Sequence, residues 1–118
     1  MYRYTIKNKV HIFKFSDIIT NDDHTQFTIE LAKLFTKPFN VIFDLLDVSS
    51  VDVSIIYNQS TFMSNNEKYA KKFIIKSCIL INDNWQRKLL NILFYFKPPV
   101  SPYIICNDYK TCLNFIKN

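Results

Sequence analysis

The sequence predicts one α/β domain over residues 1–118, a sandwich of about five mixed, mainly parallel strands with about four helices. Two observations carry that expectation. Short apolar runs of strand length alternate with stripes of helical period along most of the chain. Two of those runs, 39–46 and 78–81, are apolar on both faces, the pattern of strands buried in mid-sheet between helix layers. No linker-like shift in composition divides the chain.

Residues 2–6 (aromatic and β-branched) read as a first strand and residues 10–15 as a second, joined by a turn in which Asn8 adopts the left-handed conformation. From Asn21 the period is helical. Asn21, Asp22 and Asp23 offer N-caps, Phe27, Leu31, Leu34 and Phe35 form the buried stripe, and Pro38 ends the helix. Residues 39–46 are the central strand, followed by a polar turn over 47–52. One long second helix then turns Ile55, Phe62, Met63, Ala70 and Phe73 inward. A buried strand over 77–81 ends at Asn82 and Asp83, which cap a helix with Trp85, Leu89, Ile92, Leu93 and Phe96 on its inner stripe. Pro98, Pro99 and Pro102 stiffen the connection to the last strand, 103–106. Asn107 and Asp108 cap a final helix whose inner face is Tyr109, Cys112, Leu113 and Ile116. Helices between apolar strands imply right-handed crossovers and parallel pairing.

Composition excludes several chemistries. Glycine is absent, which rules out a phosphate-cradling P-loop, a dinucleotide fingerprint and a glycine-flanked nucleophile elbow, since each needs positive φ or a backbone without Cβ. The net charge of +5 comes from 15 Lys and Arg against 10 Asp and Glu. The lysines are spread along a chain rich in Asn and Ile, the bias of an AT-rich genome, so no nucleic-acid partner is expected. The apolar stretch at 92–96 is far shorter than the roughly 20 residues that span a bilayer. Arg3, Lys7 and Lys9 interrupt the opening residues, which carry no cleavable-signal pattern.

Candidate chemistry is sparse. His11 lies in a strand and His24 in the first turn of a helix, with no second His at i+4, so no metal site or cofactor is expected. Cys78, Cys106 and Cys112 are odd in number and lack C-x-x-C spacing; they read as reduced, apolar-set thiols of a cytoplasmic protein. Asp44, Asp47, Asp83 and Asp108 mark strand ends, the edge where ligands bind in open α/β sheets; Asp83 and Asp108 serve equally as helix caps. Lys68, Lys71, Lys72 and Lys76 make a local basic cluster at a helix C-terminus, stabilised by the dipole or open to phosphate or membrane.

The most informative segment is 45–56, Leu-Leu-Asp-Val-Ser-Ser-Val-Asp-Val-Ser-Ile-Ile, which joins the central strand to the second helix. It resembles the signature loop of the STAS domain (sulfate transporter and anti-sigma factor antagonist), where a strand ends in a D-L-S-x-[hydrophobic]-D-S-[ST]-G-L pattern. Asp47, Val48 and Ser49 match its start, Val51 and Asp52 its middle, Ser54 the phosphorylatable position and Ile56 the following Leu. Val53 stands where the family has a small hydroxyl residue, and Ile55 where it has a glycine. The strand pair, first helix, Pro-preceded last strand and short final helix also have counterparts, so the likeness runs over nearly the whole chain.

That resemblance implies a non-enzymatic module, anti-sigma factor antagonist-like, that binds a protein partner such as a kinase-like regulator. Binding would run through Ser49, Ser50, Asp52, Val53, Ser54 and Ile55 and the helix after them, with Ser54 as the phosphorylation candidate and the chain as monomer or weak homodimer. Read locally, Ser54 is the N-cap of that helix. The alternatives are a small-molecule or lipid-head-group binding domain, or an orphan viral or protist STAS-like protein of another role. An enzyme is not expected, because no nucleophile–base pair can be named.

Overall fold

The computed structural model describes residues 1–82 and 84–118, and the side chains of these except that of Phe96. Strand β1 (Tyr2–Lys7) turns through Asn8 and Lys9, both at positive φ, into β2 (Val10–Ile19). Then follow α1 (Asn21–Lys33), β3 (Phe39–Val51), α2 (Val53–Asn65), α3 (Glu67–Phe73), β4 (Ile74–Leu80), α4 (Asn84–Phe96), β5 (Tyr103–Cys106) and α5 (Tyr109–Lys117). The five strands form one sheet in the order β1-β2-β3-β4-β5, with β1 antiparallel to β2 and the other pairs parallel.

That strand order dictates where the helices go. Parallel strands added one step at a time in the same direction, each through a right-handed crossover, carry every crossover helix to the same face. Helices α1 to α4 accordingly pack on one side, against Phe13, Phe15, Val41, Phe43 and Ile79. Helix α5 follows the last strand and is free to cross. It covers Val10, Ile42, Cys78 and Leu80 on the other side. The central position expected of 39–46 holds: Val41 and Ile42 are fully buried, between helices on both faces.

Several elements differ from the sequence expectation. Strand β2 continues past residue 15 to Ile19, with register shifts between Lys14 and Ser16 and between Asp17 and Ile18, and Asp17 at φ 60°. This longer edge gives β3 a partner beyond residue 46. The expected polar turn at 47–52 is therefore mostly strand, in register Ser16 with Asp47, Asp17 with Val48, Ile18 with Ser50 and Ile19 with Val51. The long second helix is two helices, making five among the described residues. The Asn66 backbone N–H and its side-chain Nδ2 both donate to the Phe62 carbonyl, at 3.0 and 2.9 Å, and Asn66 leaves helical φ/ψ.

The caps also move. Thr20 caps α1: its hydroxyl accepts from the Asp23 N–H, and the Asp23 carboxylate accepts from the Thr20 N–H, a reciprocal capping box. Asp108 caps α5 as expected, accepting from the Thr111 N–H at 2.7 Å. The expected cap at Asp83 lies outside the described residues. Among the described side chains of α4, Gln86 and Leu90 are the buried ones, whereas Ile92, expected inward, is 48% exposed; Phe96, also expected inward, lies outside the described side chains. On α5 the buried position is Cys112, and Leu113 turns outward. On α4 the expected Trp85, Leu89 and Leu93 stay half-buried beside Gln86 and Leu90, and on α5 the expected Tyr109, Cys112 and Ile116 do pack inward. Among the described side chains, then, only Ile92 and Leu113, at the margins of their stripes, leave the inner face.

Candidate functional site

The segment singled out by sequence becomes the end of β3 and the first turn of α2. Strand alternation turns Val48 into the core and Ser49 to solvent, and Ser50 is exposed too. Asp52, not Ser54, is the N-cap of α2. Its carboxylate accepts from the Ser54 N–H at 2.8 Å, and this hydrogen bond holds the Asp52 carboxyl below its usual range. Asx capping is available two residues earlier than sequence placed it, because α2 begins at Val53.

Helical geometry then sorts the candidate residues. Ile55, Gln59 and Phe62 turn inward, with Ile55 buried, so the residue standing at the STAS glycine position is a core residue and not part of the surface. Val53 and Tyr57, one turn apart, face solvent at 77% and 73% exposure. Beside Ser50 in the sheet register sits Ile18, 59% exposed. Ser49, Ser50, Asp52, Val53 and Ser54 are all exposed, as are Ile18, which pairs with Ser50, and Tyr57, one turn after Val53. The sequence reading missed Ile18 because it ended the second strand at residue 15. It missed Tyr57 because it followed only the inner stripe of the helix.

Beneath α2 lies an apolar cavity of about 230 Å³ between the helix layer and the sheet. Phe43, Leu45, Ile55, Phe62, Leu89 and Leu93 are among its walls. A few polar groups interrupt them. His24 Nε2 and Gln59 Oε1 lie 2.7 Å apart, and Gln86 Nε2 donates to the Val48 carbonyl at 2.9 Å. The cavity exceeds the roughly 150 Å³ void that takes up benzene in an engineered protein core.

The other charged candidates are structural. Asp44 is fully buried rather than at a sheet edge. It accepts from the Tyr109 hydroxyl at 2.5 Å, the Leu46 N–H at 3.0 Å and Lys14 Nζ at 3.4 Å, and Lys14 also pairs with exposed Asp47 at 3.0 Å. The basic cluster does not form one patch. Lys76 belongs to β4, where its Nζ donates to the Phe115 carbonyl at 2.8 Å and sits over the Phe115 ring.

The cysteines depart furthest from expectation. Cys78 and Cys112 form a disulfide across 34 positions of sequence, and Cys106 is the free thiol. The three sulfurs lie within 4.8 Å of one another, so residues without ligand spacing in sequence still form a cluster of metal-ligating type. Neither the odd count nor the spacing could show this. The return of α5 over the second sheet face brings Cys112 above Cys78.

No family model matches this sequence, and no curated protein matches it. Solved structures do. An uncharacterized protein of the DUF3478 family with a SpoIIAA-like fold, from Shewanella loihica PV-4, matches at TM-score 0.66 and 15% identity, covering 98% of this chain and 91% of its own. The anti-sigma factor antagonist SpoIIAA in its unphosphorylated form matches at TM-score 0.62 and 8% identity, covering 100% and 99%. At these identities the likeness concerns fold.

Proposed function

We propose, from the STAS-like fold this chain shares with SpoIIAA, that it is a non-enzymatic interaction module docking a protein partner through the end of β3 and the start of α2. The observation that carries the reading is the exposed apolar set Ile18, Val53 and Tyr57, set among the hydroxyls of Ser49, Ser50 and Ser54. Large apolar side chains rimmed by small polar ones are what a docking surface presents before its partner arrives. Ser54 is the site at which such docking would be controlled. A phosphate there would add nearly two negative charges at the α2 N-terminus and two residues from the Asp52 carboxylate.

Because Asp52 supplies the cap, Ser54→Ala should leave both folding and partner affinity close to wild type. Ser54→Asp should also fold normally, yet weaken partner binding at least tenfold, by about 1.4 kcal/mol or more, as a carboxylate is buried in the contact without a counter-charge. Calorimetry with the partner recovered by affinity capture from the source cell tests this. Equal affinity for wild type and Ser54→Asp would remove Ser54 from the interface.

The cavity favours a second reading, a domain that binds a small apolar molecule between α2, α4 and the sheet. Such a ligand, screened from a panel of short-chain aliphatic and aromatic compounds, should raise the melting temperature with concentration, as RT ln(1 + [L]/Kd) requires. Phe62→Trp, which fills the cavity, should abolish the response. A response that survives it would place the ligand elsewhere.

A further inference from the structure

On the sheet face away from the α2 surface, the chain carries a chemical group that protein docking does not use. Cys78 on β4 and Cys112 on α5 are both fully buried, so no reagent in solvent reaches their disulfide directly. Cys106, the last residue of β5, is partly exposed, and its sulfur lies 3.3 Å from the Cys112 sulfur and 3.7 Å from that of Cys78. It also lines a polar surface cleft of about 300 Å³ with Ile81, Asn82, Asn84, Arg87 and Asn107. Three amides and a guanidinium around a thiol make a setting suited to a small molecule that bears both carboxylates and sulfur.

We propose that this cleft is a thiol–disulfide exchange site for a low-molecular-weight, carboxylate-bearing thiol, with Cys106 as the residue through which the buried Cys78–Cys112 bond is reduced and re-formed. Cys106 Sγ lies beside the bond, so in the reducing direction its side chain first turns in line with the Cys112–Cys78 axis; Cys106 then loses its proton to solvent and its thiolate attacks Cys112 Sγ. The Cys106–Cys112 bond forms, the Cys78–Cys112 bond breaks, and Cys78 departs with the electron pair and takes up a proton. The small thiol, as thiolate, then attacks Cys106 Sγ from the cleft, forming a mixed disulfide and releasing Cys112. A second equivalent releases Cys106, leaving three protein thiols and one small-molecule disulfide. Oxidation runs the same steps in reverse, the small disulfide supplying the oxidising equivalents. Burial, together with the nearby Asp108 carboxylate, pushes the Cys106 thiol up, and the thiol donates to the Asp108 carbonyl at 3.6 Å.

The test compares the rate at which reduced glutathione and uncharged 2-mercaptoethanol reduce the oxidised full chain, read by alkylation quench and mass spectrometry. Cys106→Ser should slow both reagents by about tenfold or more, because the internal exchange is lost. Arg87→Gln should slow glutathione severalfold and leave 2-mercaptoethanol unchanged. If Cys106→Ser melts below wild type, alkylating Cys106 in the folded oxidised protein provides the same block. Reduction of Cys106→Ser or of the alkylated protein at the wild-type rate would show direct attack on the buried bond and overturn the proposal. So would an Arg87→Gln variant that treats the two reagents as wild type does, or a reduced wild-type chain that oxidised glutathione leaves with three free thiols.

Discussion

Replacing Phe13 by alanine is expected to lower the free energy of unfolding by about 3–5 kcal/mol, enough to threaten a domain of ordinary marginal stability. Phe13 is fully buried on β2, on the face beneath the helix layer. Its ring centroid lies 4.9 Å from that of Tyr4, 5.2 Å from Phe27 and 5.9 Å from Phe43. It therefore ties β1, α1 and β3 to β2 at one point. The cost sums lost apolar burial, lost edge and stacked ring contacts, and a void that its rigid neighbours cannot close. Phe13→Leu, which keeps most of the volume, should cost less than half as much. Urea unfolding followed by circular dichroism measures both. A Phe13→Ala midpoint close to wild type at unchanged slope would mean that the aromatic cluster does not hold the sheet to its helices.

The second large effect is expected on the opposite face. Asp44→Ala should destabilise the fold by about 3 kcal/mol, and Asp44→Asn by about half that. The Asp44 carboxylate is buried and takes three donors, from Tyr109, Leu46 and Lys14. Alanine leaves the Tyr109 hydroxyl and the Leu46 amide without their acceptor, and hydrogen bonds to a charged acceptor are worth about 1.5–3 kcal/mol each. Lys14 loses less, since its side chain is partly exposed and Asp47 stays within reach. Asparagine keeps an acceptor oxygen of the same reach, which is why its cost is smaller. The same denaturation series reads both. Equal losses for the two variants would show that the charge, rather than the acceptor, is what α5 needs. Since Tyr109 lies on α5, protection of α5 amides from hydrogen exchange should fall in Asp44→Ala before that of β3.

These two substitutions also mark the limit of what was legible. The strand that carries Phe13 was readable from residues 10–15 alone, because strand-forming side chains near one another in the chain announce the element that holds them. Asp44 read as a strand-end carboxylate at a ligand edge, because nothing in residues 39–46 announces a tyrosine 65 positions later. The candidate site divides in the same way. Ser49, Ser50, Asp52, Val53 and Ser54 are each exposed, while Ile55 turns into the core. Ile18 joins them only through pairing of β2 with β3.

By itself the sequence determined the alternation of strands and helices, the central place of β3, and the exclusion of glycine-dependent chemistry. Each of these depends on side chains near one another in the chain, whose spacing sets which face of an element is apolar and which backbone conformations it can take. Only the tertiary structure decided the extension of β3 through Val51, the placing of α5 alone on the second sheet face, and the meeting of Cys78, Cys106 and Cys112. Those features depend on which backbone edge lies free for hydrogen bonding and on which helix returns over which strand. Such contacts join residues tens of positions apart, and no local periodicity encodes them.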